Sequence, residues 1–306
     1  MGAIPPSPLG HRTRITCVPF ILHPSSFTLN VDILGKVAVA STFSPRFLPM
    51  LAEAKAIAAL LDRPLEVIHA GADNAESQDL FAHAFAEMDF SGPIHWREAY
   101  QPSTAIIQAV QDAGIGLLIA GAMERDSEGR FFLGKVSRAL LREAPCSLLL
   151  FANPSRNPAP FRNLAVIVDF TPASRHALQA TLDLAARAQA ESVHVLRIFT
   201  VFAQFLAEPH EFIKGADTNA LGAEEARLDA FVEEFDIAAI PVSTRCIEGT
   251  TGFAAADYVQ SIGVDLLVIA SEATSGHPHF PARMEWLENV IPSNLLVIRP
   301  PGGAPT

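Results

Sequence analysis

What this sequence has little of narrows its class first. Cysteine is scarce: Cys17, Cys146 and Cys246 are odd in number and far apart. They outline neither a disulfide framework nor a metal-ligand spacing, and they suit a reducing compartment, the cytoplasm. Positive charge is short as well. With 22 Lys and Arg against 33 Asp and Glu the net charge is −11 and no basic run occurs, so a nucleic-acid partner, held by cations that release counterions, is not expected. No apolar stretch reaches the ~20 residues that cross a bilayer, which argues against an integral membrane protein. Nearest to a targeting signal are His11, Arg12 and Arg14 ahead of Ile15 to Leu22, but Pro19 interrupts that run and no small-x-small site follows. Residues 1–34 therefore read as a disordered extension.

Charge of either sign is also thin, at 18% of residues, while hydrophobic residues make up 49%. That balance belongs to a folded chain. Its 306 residues are about twice the commonest domain size, so two domains with their own cores are expected.

A repeat bears this out within the sequence itself. Lys36 to Ser41 leads into Thr42-Phe43-Ser44-Pro45, and Leu164 to Val168 leads into Asp169-Phe170-Thr171-Pro172. Each junction is a short apolar strand, then a hydroxyl residue suited to capping a helix, then a proline suited to the first helical position. Helical spacing follows in both: Phe47, Leu48, Leu51, Ala54, Ala58 and Leu61, then Ala177, Leu178, Thr181, Leu182, Ala185 and Ala188. Second strands come at Leu65 to Ala70 and Ser192 to Phe199. Helices are predicted at Pro102 to Ala113 and Thr251 to Ile262, running into the near-continuous apolar strands Gly116 to Gly121 and Asp265 to Ala270. A last helix and strand close each copy, Lys135 to Glu143 then Ser147 to Phe151, and Ala282 to Val290 then Asn294 to Ile298.

Thr42 and Asp169 are 127 residues apart but Gly121 and Ala270 are 149 apart, so the second copy holds about twenty extra residues, at 200–240. Alternating strands and helices imply an α/β fold: two tandem, doubly wound, five-stranded parallel-sheet domains. They are expected at 35–152 and 162–300, joined by a proline-rich linker at 153–161 and followed by a tail at 301–306.

The order of these motifs resembles the universal stress protein family. Its start resembles Val168-Asp169-Phe170-Thr171-Pro172-Ala173-Ser174, its third helix Pro102-Ser103-Thr104-Ala105-Ile106-Ile107, and its end Leu133-Gly134-Lys135-Val136 through Ala144-Pro145-Cys146 to Leu150. The resemblance runs over roughly residues 35–300 and implies the adenine nucleotide α-hydrolase-like fold. Nucleotide-binding members carry Gly-x-x-Gly, nine residues, then Gly-Ser or Gly-Thr after the fourth strand. Glycines there let backbone N–H groups approach phosphates, and a helix N-terminus completes the cradle.

Here those motifs are degraded. Aligned on Leu133-Gly134, the first copy has Gly121, then Glu124 in place of the second glycine, then Gly134 and Lys135. Thr42 stands where relatives carry an acid for the ribose. Ala70 and Val136 complete the nucleotide positions that the resemblance implies in this copy. The second copy keeps Asp169, with Ile198 and Ala270 as vestigial positions, but has Ala273 for the second glycine and Pro281-Ala282 for Gly-Ser. Conventional ATP binding is not expected in the second copy, and in the first copy Glu124 opposes the phosphates.

Other chemistry is sparse. Gly276-His277-Pro278-His279, near Glu272 and Glu285, reads as a solvated loop before a metal site, and no metal is expected. His69 reads as a partly buried, hydrogen-bonded residue at a strand end. Phe199, Phe202, Phe205, Leu206, Phe212 and Ile213 read as a packing stripe on a helical insertion, the alternative being an apolar ligand pocket. No nucleophile elbow, Walker loop, dinucleotide fingerprint or pyrophosphatase loop occurs.

The expected function is therefore non-enzymatic, in stress response or regulation through ligand or protein binding, with weak ATPase activity left open. No cofactor is expected; one ATP in the first copy, making an ATP-responsive sensor, is the alternative, and an apolar-ligand carrier in the second copy is another. Partners implied are the two copies for each other, with Leu148 to Phe151 facing Leu295 to Ile298, then a homodimer or a regulatory protein.

Overall fold

Successive residues of each long strand point to opposite faces, and here both faces are covered. The computed structural model describes residues 35–41, 43–122, 124–125, 131–199, 217–237, 240–249, 253–274, 277–279, 286–288 and 290–299. The first copy runs β1 (Lys36–Ser41), α1 (Phe47–Leu61), β2 (Leu65–Ala70), α2 (Ala75–Glu87), β3 (Ile94–Arg97), α3 (Pro102–Ala113), β4 (Ile115–Gly121), β5 (Glu124–Arg125), β6 (Phe131–Phe132), α4 (Lys135–Glu143) and β7 (Ser147–Phe151). The second runs β8 (Asn163–Ile167), α5 (Pro172–Ala188), β9 (Ser192–Phe199), α6 (Asp217–Glu233), β10 (Val242–Glu248), α7 (Phe253–Ser261), β11 (Leu266–Ala270), β12 (Glu272–Thr274), β13 (His277–His279), β14 (Val290–Ile291) and β15 (Asn294–Ile298).

Ten of these strands form one sheet in the order β10-β9-β8-β11-β15-β7-β4-β1-β2-β3. Each half is parallel and wound alike. The halves meet where β15 pairs antiparallel with β7, Leu295 opposite Leu150, Leu296 opposite Leu149 and Val297 opposite Leu148. Val37, Val39, Leu149 and Leu296 face the side packed by α1 and α5; Ala38, Leu148, Leu150, Leu295 and Val297 face the side packed by α3, α4 and α7. Side chains stitch the same seam. Ala152 N donates to Asn294 Oδ1 at 2.9 Å, and Arg299 N donates to Ser147 Oγ at 3.1 Å. The buried Arg299 guanidinium also donates to Cys146 O at 3.0 Å and to Leu141 O, closing the end of α4.

The linker follows α1. Glu53, buried on that helix, accepts Ser155 N at 2.9 Å, and burial raises its carboxyl above the usual range.

Three local expectations are corrected. In the second copy Thr171 Oγ1 accepts Ser174 N at 3.2 Å and Pro172 opens α5, as the spacing predicts. In the first copy Pro45 does not open the helix: α1 starts at Phe47, after Arg46, with no side-chain cap. Pro49 is the reason. A helix opening at Pro45 would need an N–H at residue 49 and room for its ring, whereas a start at Phe47 places Pro49 among the unbonded first-turn donors. The last helix of the second copy, predicted over Ala282 to Val290, is also different. Of its described residues, Trp286 to Glu288 form a single 3₁₀ turn and Val290 begins a strand paired with Phe132. His277-Pro278-His279 is strand β13 of a hairpin with β12 instead of a loop. The insertion contains α6, while residues 200–216, including Phe202, Phe205, Leu206, Phe212 and Ile213, lie outside the described residues, as do residues 1–34 and 301–306.

Candidate functional site

In sheets of this winding, ligands sit outside the carboxyl ends of the strands, where strand order reverses. In the first copy that point lies between β1 and β4, next to β2. Ser41 ends β1, His69 and Ala70 end β2, and Gly121 ends β4.

Aromatic side chains fill much of this mouth. His69 is 6% exposed, and its Nδ1 lies 3.5 Å from Ser41 Oγ. The Phe43 ring lies 4.5 Å from the His69 ring, and Phe81 and Trp96 each stand edge-on to it at 5.2 Å. A Cβ at Gly71 would fall 2.5 Å from His69 Nε2, so the ring's position requires glycine there. Burial lowers the His69 pKa, opposed by its contact with Ser41, and keeps the imidazole neutral.

The loop positions are tied down too. Arg46 Nη1 donates to Ala122 O at 2.7 Å, and Ser137 Oγ donates to Gly121 O at 2.7 Å. Gly121 has no positive φ, and a Cβ there would only touch Met50 Sδ at 3.5 Å. Beyond it, β5 and β6 form a hairpin with Glu124 opposite Phe132, and β6 pairs onward with β14 of the second copy. Arg138 donates to Glu288 O at 3.0 Å, and Arg142 forms an ion pair with the Glu288 carboxylate. Glu124–Arg125 and Phe131–Phe132 are thus tied into a small three-stranded sheet with the other copy. Gly134 caps α4 without a side-chain bond, Lys135 is exposed at its first position, and Val136 is half-buried behind it. Thr42 lies outside the described residues.

In the second copy Asp169 Oδ1 accepts both Thr171 N at 3.2 Å and Thr171 Oγ1 at 2.6 Å, so this oxygen holds the turn. Phe170 takes φ 66°, an outlier for a bulky residue. Its ring carries the guanidiniums of Arg197 at 4.8 Å and Arg227 at 4.3 Å, and Glu224 reaches Arg197 at 3.4 Å and Arg227 at 4.0 Å. Ile198, next to the end of β9, and Ala270, at the end of β11, are half-buried. Cys246, on the edge strand, is pushed up to about 12 by burial and the nearby carboxylates of Glu224, Glu225 and Asp229, which disfavours a thiolate. Burial pushes Cys146 up to about 11.

Of the positions the sequence singles out, Asp169 follows β8, Gly121 ends β4 and Gly134 precedes α4, while the aromatic filling was missed. The signal lay in Phe81 and Trp96, on α2 and β3, neither of which has a clean period. Among the described residues no group of three His, Cys, Asp or Glu side chains could hold a metal ion, and no helix is long and apolar enough to cross a membrane.

A model of the universal stress protein family matches residues 73–152 and again residues 160–281. Among solved structures, a functionally unknown protein from Pseudomonas aeruginosa PAO1 is similar, with a TM-score of 0.60 at 17% identity, over 89% of this chain and 94% of its own. A universal stress protein from Archaeoglobus fulgidus DSM 4304 is similar with a TM-score of 0.54 at 14% identity, over 86% of this chain and 98% of its own. At these identities the likeness is one of fold. No curated protein matches the chain.

Proposed function

Because the chain belongs to the universal stress protein family, matched twice along its length, we propose that it acts in stress response or regulation by binding a ligand or a protein, without catalysing a reaction. One observation carries this reading. Within the stretch from Gly121 to Gly134, where a phosphate cradle would be needed, Glu124–Arg125 pairs with Phe131–Phe132, which pairs onward with β14, and Phe43, Phe81 and Trp96 crowd the adjacent mouth around His69. Hydrogen-bonded strand backbone has fewer free N–H groups for a phosphate than an open glycine loop. The proposal includes a cytoplasmic location, no resident cofactor, and the two copies as each other's first partner.

Titration calorimetry with ATP tests it. Wild type should give no saturable heat at micromolar concentrations. The triple variant Thr42→Asp, Glu124→Gly, Lys135→Ser restores the acid, the close backbone approach and the hydroxyl, and at about 1 kcal/mol per contact should gain on the order of a hundredfold in affinity. Micromolar binding by wild type would instead make the first copy an ATP-responsive sensor.

A further inference from the structure

Ser41, Phe43, His69, Phe81 and Trp96 form one unit at the mouth of the first copy. Parallel register sets Ser41 beside His69 and His69 beside Trp96, a row across β1, β2 and β3 on the same face as Val39 and Val67. Phe81 closes the row from α2 and Phe43 from the segment after β1. Their ring centroids lie 5.2 and 4.5 Å from the imidazole and 4.8 Å from each other, and Phe81 meets Trp96 edge-on at 5.3 Å. The walls of this box thus touch one another as well as the ring inside it.

Among the described residues no charge faces that ring. Lys36, Glu66, His95 and Arg97 alternate to the opposite face of the same strands, where Glu66 meets Lys36 and His95, and Arg97 meets Asp112. The α2 positions one turn from Phe81 are Ser77, Gln78, Ala84 and Phe85. Further along α1, Glu53 is held by Ser155 N. At the head of that helix Arg46 is drawn to Ala122 O, and it is exposed at the rim with Lys135, Asp73, Glu76, Asp79, His83 and Glu98. These rim charges are solvated and of both signs, which leaves His69 as the titratable group inside the mouth.

A neutral imidazole suits this box and a charged one does not. Imidazolium carries N–H donors at both nitrogens, and the box offers one acceptor, Ser41 Oγ, 3.5 Å from Nδ1. Among the described residues Nε2 has no hydrogen-bond partner; it faces Gly71, where a Cβ would stand 2.5 Å away. A buried cation without acceptors is costly, so a proton on this ring has to bring water with it. Phe43 is the wall that can yield: it is 41% exposed, whereas Phe81 is 1% exposed and Trp96 is paired within the sheet. Phe43 also lies just ahead of α1, which starts without a side-chain cap.

We propose that the mouth of the first copy is gated by acid: a proton on His69 draws water to the imidazolium, releases the Phe43 ring and bares Phe81 and Trp96 to an aromatic ligand. At neutral pH the box stays shut. This goes beyond the binding role above, since it sets the condition under which the first copy binds, and it does not depend on whether ATP is a ligand. Burial lowers the His69 pKa, so the opening belongs on the acid side of the ordinary imidazole value of about 6.5.

Nile red, a neutral dye that brightens on apolar surface, reads the opening in the full chain. Its emission should rise severalfold from pH 7 to pH 5 and fall back on neutralisation, while the chain still melts cooperatively at pH 5. His69→Gln, which keeps a neutral polar group in the box, should stay dim at both pH values. Phe43→Ala, at an exposed position, should be bright already at pH 7 and change less than twofold on acidification; it carries the test should His69→Gln fail to fold. No rise in wild type, an equal rise in folded His69→Gln, or a dim Phe43→Ala at pH 7 overturns the proposal. A rise that comes with loss of the cooperative melt also overturns it, because that is acid unfolding of the whole chain.

Discussion

His69 shows how one side chain couples the mouth to solution conditions. Burial holds its folded pKa below the ordinary imidazole value of about 6.5. Between those two values the unfolded chain binds a proton that the folded chain does not, so stability rises with pH through that window and falls on acidification. His194, in contact with Ser192 and Ser243, is lowered by burial and adds in the same direction. Glu53 and Asp183 are raised by burial and act oppositely, near the carboxylate range. Removing the imidazole isolates its share: His69→Gln should lose less stability than wild type between pH 7 and pH 5, read as a smaller drop in Tm. Equal pH profiles would show that His69 opens to water.

Among the secondary-structure elements, what the sequence made legible follows burial. Ser147 to Phe151 and Asn294 to Ile298 read as strands at once because both faces of each are buried, and Pro102 to Ala113 read as a helix because Pro102 opens it and Gly114 closes it with φ 64°. The third strands, β3 and β10, had no such signal: they sit at the two edges of the sheet, half exposed, and β3 is only four residues long. Pairing of β6 with β14 joins residues about 160 positions apart, and no local pattern encodes it. The reading of the candidate site shared that limit, since the hairpin after Gly121 exists through its partner in the other copy.

The junction of β7 and β15 is the element most sensitive to substitution. Leu149 is 2% exposed, lies opposite Leu296 and has no route to water for a charged head group. Leu149→Lys should therefore cost at least ~3 kcal/mol, seen as a lower denaturant midpoint, and should open the linker to limited proteolysis. An unchanged midpoint and cleavage pattern would refute the seam as the joint between halves.

For the whole molecule, joining both copies in one chain makes their association unimolecular. The Tm of the intact chain should not change with protein concentration, whereas a chain cut within residues 153–161 should melt lower as it is diluted, by the mass action of two fragments. Differential scanning calorimetry over a hundredfold range of concentration measures this. Concentration-independent melting of the cut protein would mean that the halves never separate.

The same covalent joint frees the two halves from being alike. In a twofold assembly of identical subunits every position recurs on both sides, so one gene cannot furnish an apolar mouth and a cationic one together. Here Ser41 pairs with His69 in β2, and the corresponding place on β9, one residue past Leu196 opposite Ile167, belongs to Arg197. Phe43 accordingly rests on an uncharged imidazole, and Phe170, its counterpart, on guanidinium. The molecule is thus polar in the geometric sense, with two distinguishable ends, so a partner that meets one end has no reason to meet the other.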